Sequence, residues 1–108
     1  MLEPPVKWYV VGSTQRGKEH PNDLDLLCVM EEEDFEFAYG MDRWEFQRQF
    51  KIKPRTPKIE RWRTEVRGAR RVLETLFPYR KVDLKIIARS MLYEPYSEID
   101  LHDLEDYR

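Results

Sequence analysis

Three aspartates and a glycine–serine pair are the residues of this 108-residue chain whose types and spacing can do chemistry. Gly12-Ser13 closes a short apolar run, and Asp23-Leu24-Asp25 begins eleven residues after Gly12. Asp83 lies far down the chain, inside Val82-Asp83-Leu84-Lys85-Ile86-Ile87. If these segments are strands, alternation puts Asp23 and Asp25 on one face and sets Asp83 opposite Val82, Leu84 and Ile86. Three carboxylates on adjacent strands of one sheet concentrate negative charge that hard, oxygen-seeking cations, Mg²⁺ or Mn²⁺, balance naturally. Two such ions ~3.5–4 Å apart activate an attacking hydroxyl and stabilise a leaving phosphate oxygen. Gly12 lets backbone approach a ligand closely, while Ser13 and nearby N–H groups suit the outer phosphates.

The elements that must position these residues follow from pattern. Trp8-Tyr9-Val10-Val11 reads as a buried strand stopped by Gly12, and residues 12 to 22 read as connection. Residues 23 to 29 read as a second strand with Leu24, Leu26 and Cys28 on its apolar face, so Cys28 is a small core residue rather than a nucleophile. Alternating Phe35, Phe37 and Tyr39 suit a strand, Gly40 a turn, and Trp44, Phe46 and Phe50 a returning strand or short helix. From Lys58 to Phe77, Ile59, Trp62, Val66, Ala69, Leu73 and Leu76 recur at helical steps, with Arg61, Arg63, Arg67, Arg70 and Arg71 mostly off that stripe. Pro78 ends this helix, and residues 82 to 87 form the third strand. Beyond Ser90 the chain turns acidic and Pro95 breaks it.

Composition bounds the class. One domain spanning residues 1–108 is expected at this length. The N-terminus lacks the basic start and apolar stretch of a signal peptide, and no apolar run approaches the ~20 residues of a membrane span. A cytoplasmic, membrane-free protein is the expectation, and the lone Cys28 excludes an internal disulfide. The net charge of −2 conceals segregation: residues 43 to 81 hold 13 Lys/Arg against 4 Glu, whereas the remainder is strongly acidic. Such a basic block either solvates a helix face or gathers phosphate-bearing partners, nucleic acid among them. Trp44 borders it and can pack or stack on a base, and Tyr93 and Tyr96 can pack the sheet or approach a nucleotide. His20 and His102 have no partner at metal spacing.

Three blocks in order carry a resemblance: Gly12-Ser13-Thr14-Gln15-Arg16-Gly17-Lys18, then Asn22-Asp23-Leu24-Asp25-Leu26-Leu27, then Arg80-Lys81-Val82-Asp83-Leu84. Together they resemble the nucleotidyltransferase superfamily, most closely the palm of family X DNA polymerases of the polymerase beta type. Gln15 departs from that pattern, standing where the family often has an arginine. The resemblance implies an α+β fold of the palm type, a small mixed β-sheet backed by helices. It implies Asp23, Asp25 and Asp83 as catalytic residues holding two Mg²⁺ or Mn²⁺ ions, and Gly12, Ser13 and Arg16 as the nucleotide-binding turn. The implied reaction is nucleotidyl transfer from an NTP or dNTP to a nucleic-acid 3′-hydroxyl or a protein side chain, with pyrophosphate released.

A palm of this length has no room for the thumb that helps a polymerase check a template, so non-templated transfer is expected. An antitoxin-type minimal nucleotidyltransferase that modifies a toxin is one form of this reading. A catalytically idle palm that binds nucleic acid or a partner protein is the alternative. Self-association is expected if a sheet edge or face is left uncovered.

Overall fold

The computed structural model describes residues 6–11, 23–78, 81–93 and 96–99, with the backbone alone for Asp23, Tyr96, Ser97 and Ile99. The fold is α+β. Strands β1 (Val6–Val11), β2 (Asp23–Met30), β3 (Lys81–Ala88) and β4 (Tyr96–Ile99) form one mixed sheet in the order β3-β2-β1-β4. β1 pairs antiparallel with β2 and β4, whereas β2 and β3 run parallel. Parallel neighbours need a long crossover. Here it holds three helices: α1 (Glu32–Tyr39), α2 (Arg43–Phe50) and α3 (Pro57–Leu76). No helix among the described residues is long and apolar enough to cross a membrane.

The helices pack on one face of the sheet, over Trp8, Val10, Leu24, Leu26, Cys28, Val82, Leu84 and Ile86. α3 forms where the apolar stripe requires it. Thr56 caps its start by accepting from Ile59 N, and Pro57 occupies the first turn, where its missing N–H costs nothing. Ile59, Trp62, Ala69 and Leu73 are buried along the stripe, but Leu76 is 45% exposed and Phe77 takes its place in the core. Trp62 Nε1 donates to Ile86 O at 2.8 Å, bonding the helix to the strand that carries Asp83.

The strand expected over Phe35 to Tyr39 is instead the helix α1. Phe35 and Tyr39, four residues apart, face the core, while Phe37 between them is 94% exposed. Glu32, Glu33 and Asp34 complement the positive end of the helix dipole. Gly40 ends it in the left-handed conformation (φ 67°), donating its N–H to Glu36 O at 2.7 Å. The stretch Trp44 to Phe50 also resolves as helix, capped where Asp42 accepts from Glu45 N at 2.8 Å. Edge-to-face contacts of Phe35 with Phe46 (5.7 Å) and of Phe46 with Trp62 (4.9 Å) join the three helices. Strand β4 was absent from the sequence expectation, which held only a Pro95 break and an acidic run there.

Replacing Trp62 with Phe keeps most of the apolar bulk but leaves the buried Ile86 carbonyl without its donor. The expected loss is about 1–3 kcal/mol, read as a lower urea midpoint at unchanged m-value.

Candidate active site

Register decides what the second face of the sheet carries. Asp25 on β2 stands beside Asp83 on β3, one step along from Leu24 beside Val82 and followed by Leu26 beside Leu84. Neighbouring strands lie ~4.8 Å apart, so the two carboxylates leave the sheet side by side, away from the helices. Around them the same face bears a small apolar cluster of Val11, Leu27, Val29 and Ile87, with Tyr9, Met91 and Leu92 packed against it.

A cleft of about 160 Å³ opens on this face. Asp25, Asp83, Lys85 and Tyr93 give it polar groups, while Val11 and Leu27 supply apolar lining. Asp25 is half-buried and Asp83 exposed, so one carboxylate sits deeper than the other. Lys85 follows Asp83 by two strand positions and therefore shares its face. Its ammonium is the cation that lines the cleft among the described residues.

Tyr93 reaches the cleft because the chain after β3 is tied down. Arg89 Nη1 bonds Glu31 Oε1 at 3.2 Å, and Ser90 N donates to the Glu32 carboxylate at the start of α1. The turn Arg89–Met91 then directs Met91 and Leu92 against the second apolar cluster, leaving the Tyr93 ring at the cleft, 47% exposed.

Of the residues expected at a site, Asp25 and Asp83 meet. Asp23 occupies the strand position beside Lys81, two before Asp25. Its side chain, together with Gly12, Ser13 and Arg16, lies outside the described residues. Among the described residues no group of three or more His, Cys, Asp or Glu gathers, so the described carboxylates of the cleft are a pair. Two oxygen-rich side chains beside a strand position held by a third aspartate are a donor set that suits a hard divalent cation, with Lys85 competing for the same charge. Lys85 was missed by sequence reasoning, although its signal was present: strand parity places it beside Asp83. Cys28, expected as core, is fully buried on the helix-covered face, and burial pushes its thiol up to about 12. It is therefore protonated and no nucleophile at neutral pH.

Two outcomes test this geometry. Like charges on directly paired positions oppose each other, so Asp83→Asn should raise stability in cation-free, low-salt buffer by up to about 1 kcal/mol, measured by urea denaturation. Iodoacetamide should leave Cys28 unmodified in the folded chain and label it fully in denaturant, as mass spectrometry would show. No protein-family model, curated protein or solved structure matches this chain, so the chemistry of the cleft rests on its own residues.

Proposed function

We propose that the chain is a metal-dependent nucleotidyltransferase of the polymerase beta palm type. The substrate would be an NTP or dNTP, and the acceptor a hydroxyl. The observation that carries this reading is the pairing of Asp25 with Asp83 on adjacent parallel strands, at a cleft on the sheet face opposite α1, α2 and α3. The order of the Gly12-Ser13, Asp23-Leu24-Asp25 and Asp83 blocks supports it independently.

Asp23, Asp25 and Asp83 would hold the divalent cations, and their oxygen donors fit that role. Bound there, the ions supply charge neutralisation on the phosphates and activation of the acceptor hydroxyl. The chain's own groups do the rest. Ser13 and Arg16 hold the β- and γ-phosphates, with Gly12 allowing the close backbone approach. The Tyr93 ring offers a flat apolar surface beside the carboxylates for a base. Asp83, the more exposed of the pair, takes the proton of the acceptor hydroxyl. The acceptor oxygen bonds to the α-phosphorus as the α–β bridging bond breaks, and pyrophosphate leaves with the electron pair. Positioning and electrostatics account for the rate.

The test is incubation of the pure protein with labelled NTPs or dNTPs, Mg²⁺ or Mn²⁺, and oligonucleotide or protein acceptors. Transfer should require the metal. Asp83→Asn should lower it about 10²–10⁴-fold while retaining triphosphate binding, and Asp25→Asn should lose both. No transfer in any combination, with salt-sensitive oligonucleotide binding but no metal-dependent triphosphate binding, would favour the idle binding module and overturn the proposal.

A further inference from the structure

On the other side of Asp83 lies a second feature, a groove between α3 and β3. Among the described residues β3 is an edge strand, with β2 on one side only. Opposite that edge, α3 presents Arg63, Arg67 and Arg70 at four- and three-residue steps, which places them on one side of the helix with successive rises of roughly 6 and 4.5 Å. The groove has a volume of about 190 Å³, and Asp83 and Lys85 form its strand wall. A wider hollow of about 650 Å³ adjoins it through Phe50 and Arg63 and adds Lys53 and Arg55. Asp83 and Lys85 belong both to this groove and to the carboxylate cleft, so the two meet along that stretch of β3.

Most of the cations of the groove and the adjoining hollow are unpaired among the described residues. Arg55 is paired with Glu60 at 3.8 Å and Arg70 with Glu74 at 3.4 Å. Lys53, Arg63, Arg67 and Lys85 have no ion pair among the described residues. Arg63 and Arg70 line the groove, and the Nε of each is buried without a hydrogen-bond acceptor among the described residues. Between the cations the Phe50 ring stands 52% exposed, backed by Trp62 at 6.0 Å between ring centroids.

We propose that this groove binds a single-stranded nucleic acid, with its phosphates on the cation row, a base on Phe50 and an uncharged terminal hydroxyl at Asp83. Unpaired cations lining a groove with one exposed ring suit a strand whose bases are free to stack. An acidic peptide would satisfy the cations but leave the ring without a stacking partner. The carboxylate at the inner end gives the groove a direction, because it repels a terminal phosphate and accepts a hydrogen bond from a hydroxyl. Strand binding stands without any transfer chemistry; the placement of the hydroxyl end at Asp83 rests on the nucleotidyl-transfer reading and names its acceptor.

The experiment is fluorescence anisotropy on the full chain with a short labelled oligothymidylate, without triphosphate and with EDTA, across a salt series. Four phosphate contacts predict a slope of log K against log salt of about −3. Arg63→Ala with Arg67→Ala should reduce the slope by about 1.4 and weaken binding at least about tenfold at low salt. Arg67→Glu, at an exposed position that cannot disturb the core, should weaken it comparably. Phosphorylating one particular end of the strand should weaken binding to the native chain, and Asp83→Asn should remove that penalty. Absence of binding, unchanged binding in both arginine variants, or equal competition by polyglutamate at matched charge would overturn the surface, the last in favour of an acidic protein partner. Arginine-dependent binding without any end preference would support the surface and overturn the placement of the hydroxyl, separating failure of the transfer reading from failure of the groove.

Discussion

Parallel pairing of β2 with β3 determines which side chains meet at the cleft, although 50 residues separate the two strands in sequence. A shift by one residue would turn every side chain of β3 to the other face. Asp83 would then point into the helices, and Leu84 would face outward. The register is held from the apolar side: Val82, Leu84 and Ile86 interdigitate with Leu24, Leu26 and Cys28 beneath α3. Trp62 adds a directional bond to the Ile86 carbonyl. The carboxylate pair is therefore a consequence of core packing on the opposite face. Two adjacent negative charges oppose the pairing, and burial of the apolar faces outweighs that opposition.

The helices contribute to both sides of the site. Their apolar stripe fixes the sheet, and the acidic start of α1 engages the turn that frames the cleft. Glu31 and Glu32, at the start of α1, hold the turn after β3 and so bring Tyr93 to the carboxylates. Arg63, Arg67 and Arg70 of α3, off the stripe and thus off the core, line the groove along β3 instead. Charge segregation in the sequence becomes a spatial arrangement in which a carboxylate cleft and a cationic groove share Asp83.

Much of this was legible in the sequence because the first halves of β2 and β3 alternate cleanly, before Leu27, Val29 and Ile87 make the second face apolar as well. Leu24, Leu26 and Cys28, against Asp23 and Asp25, permit one reading of β2, and Val82, Leu84 and Ile86 against Asp83 do the same for β3. The α3 stripe was equally plain, apart from the exchange of Leu76 for Phe77 at its end. Phe35, Phe37 and Tyr39 were not legible. Their spacing fits a strand face as well as a helix, and burial of Phe35 and Tyr39 in the core, with Phe35 against Phe46, goes with the helix and exposes Phe37. β4 is four residues long and owes its form to β1, a partner that no local pattern reveals. Lys85 follows from parity but becomes meaningful only once Asp25 is known to lie beside Asp83.

The claim at the centre is that β2 and β3 jointly form a cation site. Paramagnetic broadening of backbone amide resonances by Mn²⁺, in the presence of a non-hydrolysable NTP analogue, reads this directly. Selective broadening around Asp23–Leu27 and Val82–Lys85, lost in Asp25→Asn, is the expected result. Broadening confined to the exposed acidic stretch Glu31–Asp34, or equal in the native chain and the variant, would contradict it.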